Sequence, residues 1–197
     1  KPDYLPYLYV ARSYVNLGRK DAQSPYNDKA LEYALAAREL APDFVRTYYE
    51  IGQVYLNKKD LDKAAENFKH AATLNPEVGH SFWYWGIIEI ERGNVDLGLS
   101  IVEEVIFNGS YQVTESDLNR LMKVYLARQD FGKIERMLKE LIKLKPTNGQ
   151  YRASLATLYA QMGRIDDAVR EAREAAKIDP AFEAEARKFI ESLGRQW

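Results

Sequence analysis

The chain offers few residues for bond-making chemistry. His70 and His80 are its two histidines, and it has no cysteine. A nucleophile needs a base within hydrogen-bonding reach, and a metal site needs several donors on one face. Neither histidine has a Ser or a second His at a defined spacing. His70 reads as a solvent-facing residue of a helix and His80 as the start of one. Without cysteine there is neither a disulfide nor a thiolate metal site, and nothing follows about compartment. Glu89, Glu91, Glu103 and Glu104 make Glu-rich stretches that fall on helix surfaces, where solvated charge is their expected role. No glycine-rich phosphate loop is present. Asn108-Gly109-Ser110 is a formal glycosylation acceptor, a triplet that arises easily by chance. The segment is therefore expected to hold no catalytic group, cofactor or metal; a catalytic domain could lie outside it.

The chain is rich in side chains for recognition. It holds 14 Tyr and 3 Trp, with Gly and Pro few, which favours helices over a sandwich. Lys and Arg number 28 against 29 Asp and Glu, a net charge of -1. A nucleic-acid binder usually carries a basic excess that displaces counterions from phosphate, so that partner class is disfavoured. No apolar run approaches the roughly 18 residues a membrane helix needs, and no basic-then-apolar leader opens the chain, so direct membrane insertion is not expected.

Residues 48–76 show what positions these side chains. Tyr48, Ile51, Gly52 and Tyr55 fall on one helical stripe. After a short polar turn, Ala64, Phe68 and Ala71 fall on a second, which Pro76 ends. This spacing resembles a tetratricopeptide repeat (TPR). The resemblance implies an all-α α-solenoid, a right-handed superhelix of antiparallel helix pairs with about 11 helices, binding other proteins. It implies five units at 4–42, 43–76, 77–110, 113–146 and 147–180, closed by a capping helix at 181–193 whose stripe is Phe182, Ala186, Phe189, Ile190 and Leu193. Gly52 and Gly86, or Ala11 and Ala156, stand where helices approach closely.

The units depart from the pattern at defined places. The turn of the first unit, residues 19–29, is seven residues longer than its equivalents and reads as a surface insertion, with Asn27 or Asp28 capping the next helix. Glu89 stands where other units carry Tyr, and Gly98 where Ala64 stands. Met122 replaces Gly, which is expected to widen that helix pair, and Arg152 replaces the leading aromatic. Lys1-Pro2-Asp3 is similar to Lys145-Pro146-Thr147, the tail of a unit, so the chain is expected to be a piece of a longer protein with further segments upstream.

The family's first helices line a concave groove. The residues that resemble its ligand-facing positions are Leu8, Arg12 and Asn16; Arg46, Tyr49, Gln53 and Asn57; His80, Trp83 and Ile87; Asn119 and Lys123; and Gln150 and Thr157. Leu8, Tyr49, Trp83 and Ile87 make the first three units apolar and aromatic, with Tyr49, Trp83 and Ile87 open to either ligand contact or packing against adjacent first helices, while the last two units are polar and mildly basic. An apolar or Pro-containing segment with an acidic end would complement that surface. The Lys and Asn that grip chaperone C-termini in one TPR subclass are missing, since Leu8 with Arg12 and Tyr49 with Gln53 occupy those places. The resemblance thus implies a non-catalytic module, monomeric, binding a peptide segment of a partner. Aromatic grooves also stack sugar rings, so a glycan is a minor alternative ligand. A rival reading is a structural spacer or regulatory tail of a larger protein, such as a membrane-bound bacterial envelope glycan polymerase or ligase.

Overall fold

The computed structural model describes residues 3–197; the reading of an upstream repeat at Lys1 and Pro2 lies outside the described residues. Among the described residues there are eleven α-helices, one 3-10 turn and no strand. They form two compact units, divided between Gln112 and Val113. The first holds α1 (Leu5–Gly18), α2 (Pro25–Leu40), α3 (Val45–Asn57), α4 (Leu61–Leu74), α5 (Gly79–Glu91) and α6 (Val95–Phe107). The second holds α7 (Glu115–Arg128), α8 (Phe131–Leu144), α9 (Gly149–Gln161), α10 (Ile165–Ile178), a 3-10 turn (Pro180–Phe182) and α11 (Glu183–Ser192). Within each unit the helices are arranged as antiparallel pairs, the all-α fold expected from the 34-residue step.

Local sequence sets the helix ends. The carboxylates of Asp60 and Asp130 accept from the backbone N–H of Lys63 and Lys133, satisfying a donor that has no partner inside the helix. Thr114 and Asp117 cap α7 reciprocally. The turns α3–α4 and α7–α8 place Lys59 and Gln129 at φ 61° and 54°. Gly93 and Gly163 hold the corresponding turns of α5–α6 and α9–α10 at φ 92° and 73°. Glycine enters that left-handed region freely, whereas a side chain makes it costly.

Packing follows the small residues. A Cβ on Gly52 would lie 2.9 Å from the ring of Phe68, which is fully buried. That ring stacks on Tyr84 at 5.1 Å and meets Tyr49 edge-on at 5.4 Å. Gly98 is more than a variant of Ala64. A Cβ there would run into the carbonyl oxygen of Gly86, because α5 and α6 approach backbone to backbone. In the second unit Ile190 and Ala186 of α11 pack with Ala156, Val169, Ala172 and Ala176.

Several expectations need correction. The long turn ends at Ser24, because Pro25 already opens α2; the extra residues are shared between the turn and the flanking helix ends. Ser24, not Asn27 or Asp28, accepts from the first turn of α2. Asn27 is fully buried, and its amide donates to Asp21 O at 2.9 Å, closing the turn from inside. Glu89 is not a surface charge. It is 5% exposed and accepts from Trp85 Nε1, Arg92 Nη1 and Asn94 Nδ2. The last α-helix, Glu183–Ser192, lies inside the expected 181–193 and follows the 3-10 turn Pro180–Phe182. Trp197 is folded back, with the Arg187 guanidinium 5.0 Å from its ring centre.

Candidate functional site

Four of the expected groove residues come together in the first unit. Arg12 of α1, Arg46 and Tyr49 of α3 and His80 of α5 line one cleft of about 510 Å³, in the size range of ligand sites. Its other walls come from Phe44 and Val45 at the start of α3, from Asn75 and Val78 between α4 and α5, and from Ser81 of α5.

The cleft is apolar in its walls and cationic in its reach. Arg46 donates from Nε to Glu50 Oε1 at 2.7 Å, and its guanidinium lies 5.4 Å from the centre of the Tyr49 ring. Glu50 is buried, so this pair holds Arg46 in place. Tyr49 is held from behind by Phe68 and by Tyr84, whose ring centre is 5.7 Å away. Burial pushes the Tyr49 phenol far above its usual pKa, and neighbouring Tyr84 and Glu50 add to the rise, so it stays neutral. Arg12 is exposed, with no ion pair or hydrogen bond among the described residues. His80 is exposed and meets Tyr111 edge-on at 5.1 Å. Ser81 is fully buried, and its hydroxyl has no partner.

The remaining expected residues have other surroundings. Leu8, Trp83 and Ile87 are only 6%, 3% and 4% exposed. Trp83 stacks flat on Tyr111 at 4.7 Å, so its faces are committed to the fold. All three pack in the interior of the first unit. Asn57 is likewise spent, since its amide donates to Val15 O at 2.8 Å and Asn27 Oδ1 at 3.2 Å, tying α3 to the first pair. Gln53 is half-buried with its Nε2 unpartnered, and Asn16 is exposed. In the second unit Lys123 and Gln150 are exposed. Asn119 lies near Tyr151, whose hydroxyl donates to Glu115. Thr157 donates to Ala153 O at 3.1 Å and borders a cavity of about 50 Å³ with Phe182 and Phe189.

Sequence reasoning missed Ser81, Val45 at the start of α3, and the linker residues Phe44, Asn75 and Val78. Only Ser81 left a signal: Thr47 stands 34 residues before it, and both are buried hydroxyls without a partner. Among the described residues no cluster of His, Asp or Glu could hold a metal, and no helix is long and apolar enough to cross a membrane.

Comparison with known proteins agrees with this architecture. Two models of the tetratricopeptide repeat match, one over residues 45–78 and one over residues 125–193. No curated protein sequence matches. Among solved structures, YrrB, a TPR protein with an unusual peptide-binding site, is similar at TM-score 0.62 and 18% identity, over 94% of this chain and 92% of that one. MamA is similar at TM-score 0.59 and 18% identity, over 83% and 95%. Naa15/Naa10 bound to HypK gives TM-score 0.76 at 15% identity, over 95% of this chain and 28% of that one. At these identities the likeness is one of fold.

Proposed function

We propose that this chain of tetratricopeptide repeats is a non-catalytic protein-interaction module that holds an extended segment of a partner protein in the cleft of Arg12, Tyr49 and His80. The observation that carries the reading is the cleft itself. Three first helices of one compact unit each contribute a residue to a single concavity of about 510 Å³. Its apolar wall of Phe44, Val45, Val78 and the Tyr49 ring, with convergent polar side chains, has the make-up of a recognition site. YrrB, similar in fold, is a TPR protein with a peptide-binding site, which supports the same class of ligand. We read the helices as five repeats, 4–42, 43–76, 77–110, 113–146 and 147–180, with 181–193 as the cap that covers the last apolar face.

Position-specific photocrosslinking tests this. A benzophenone side chain replacing Arg12 or His80 is expected to label one contiguous partner segment in the native cell. The same group replacing Glu104, exposed on α6, is expected to leave that segment unlabelled. Equal labelling from all three positions would sink the assignment to the cleft.

A further inference from the structure

We infer that the partner segment presents an internal acidic side chain, Asp or Glu, to Arg12 and Arg46, set among apolar residues. The inference rests on the peptide reading of the cleft and adds the chemistry of what enters. Arg46 is a prepared anion receptor. Glu50 takes its Nε at 2.7 Å and the Tyr49 ring lies 5.4 Å beneath its guanidinium, so its orientation is fixed before any ligand arrives. Its two terminal nitrogens have no partner among the described residues. A guanidinium held in this way offers a planar pair of donors that matches a carboxylate. Arg12 lines the same cleft with no partner of its own among the described residues.

Two further observations shape the ligand. The Ser81 hydroxyl is fully buried at the cleft wall and unpartnered. Such a group costs stability unless something satisfies it. Of the two buried free hydroxyls among the described residues, Thr47 and Ser81, only Ser81 lines the cleft, where a polar ligand atom would gain by pairing with it. Phe44, Val45 and Val78 are apolar residues that line the same cleft as Arg46. A carboxylate on Arg46 therefore shares the cleft with apolar wall, which suits an acidic side chain among apolar residues of a segment. Glu50 offsets part of the charge, so the cleft selects one acid in an apolar frame rather than any polyanion.

Fluorescence polarisation with the full chain tests the inference. The probes are pools of ten-residue peptides, acetylated and amidated, with Val or Leu flanking a fixed central Glu, Gln or Lys. The Glu pool is expected to bind about tenfold tighter than the Gln pool, as a charge-assisted pair requires, with the Lys pool weaker still. Raising NaCl from about 0.05 M to about 0.5 M is expected to erode the Glu preference. Arg12→Gln, at an exposed site, is expected to remove most of it with the melting temperature unchanged. Ser81→Ala is expected to weaken the Glu pool severalfold while stability holds or rises, which a purely structural hydroxyl would not do. Equal binding of the Gln and Glu pools overturns the acidic ligand and leaves the peptide reading standing. Binding confined to peptides with a free C-terminal carboxylate overturns the internal side chain. If no pool binds while crosslinking from position 12 labels a segment, the acid is wrong and the cleft stands. If neither happens, both fail.

Discussion

Glu89 shows how one buried charge can be tied to stability. Burial by itself penalises its carboxylate, but Asn94 at 2.7 Å, Trp85 at 3.1 Å and Arg92 at 2.9 Å together outweigh that, holding its pKa below the usual carboxylate value. A group whose folded pKa is depressed stabilises the fold above its unfolded pKa, and that contribution is lost as pH falls through the folded value. Glu89→Ala is therefore expected to cost about 2 kcal/mol near neutral pH, because three donors lose a charged acceptor. The gap between variant and parent should shrink as pH falls from about 4, where the unfolded state takes up its proton, through the lower folded pKa, beneath which both states are protonated. Urea denaturation of the two proteins across that range checks it. A gap that stays constant with pH would mean that the side chain works through packing and not through charge.

At the scale of the helix pair, turns and close approaches set the price of each residue. Lys59 and Gln129 sit at positive φ where the corresponding turns have Gly93 and Gly163. The left-handed conformation costs an L-residue about 1–2 kcal/mol, and glycine gives back roughly half to one of that in chain entropy. Lys59→Gly and Gln129→Gly are each expected to stabilise by about 0.5–1 kcal/mol, read as a rise in melting temperature. Gly98 is the opposite case. In an open helix Gly→Ala gains about 1 kcal/mol, but here the new methyl meets the Gly86 carbonyl, which is backbone and cannot turn aside. Overpacking of about 1–3 kcal/mol should win, so Gly98→Ala is expected to lower the melting temperature, and a rise would show that α5 and α6 separate freely.

Across the whole chain, what could be read from sequence and what could not divide along physical lines. The 34-residue step, the caps at Thr114 and the glycines of α3 and α5 are local or periodic features, so helix pairs and their order were legible. Sequence left packing and ligand contact both open for Trp83 and Ile87 and held no sign of burial for Leu8, because a residue off the main stripe looks like a groove residue until the neighbouring helices are counted. A signal existed in α5, where Phe82, Trp83, Trp85, Ile87, Ile88 and Ile90 leave no wholly polar face, the mark of a helix covered on several sides. The pairing of Asn57 with Asn27, 30 residues apart, and the meeting of Arg12, Tyr49 and His80 depend on tertiary geometry that no spacing rule contains. Charge, by contrast, is fully legible, and it bears on the choice of partner. The pentatricopeptide RNA binders share the two-helix repeat form, but they need a surface that neutralises phosphate. Here 28 basic residues face 29 acidic ones. Many of the cations are already paired, as with Lys58 and Asp28, Arg92 and Asp62, Arg152 and Glu171, and Arg164 and Glu135. Counterion release would therefore supply little affinity. In filter binding at low salt, where such attraction is strongest, single-stranded RNA is expected to pass with the free fraction. Tight retention that weakens steeply with salt would overturn the assignment of a protein partner.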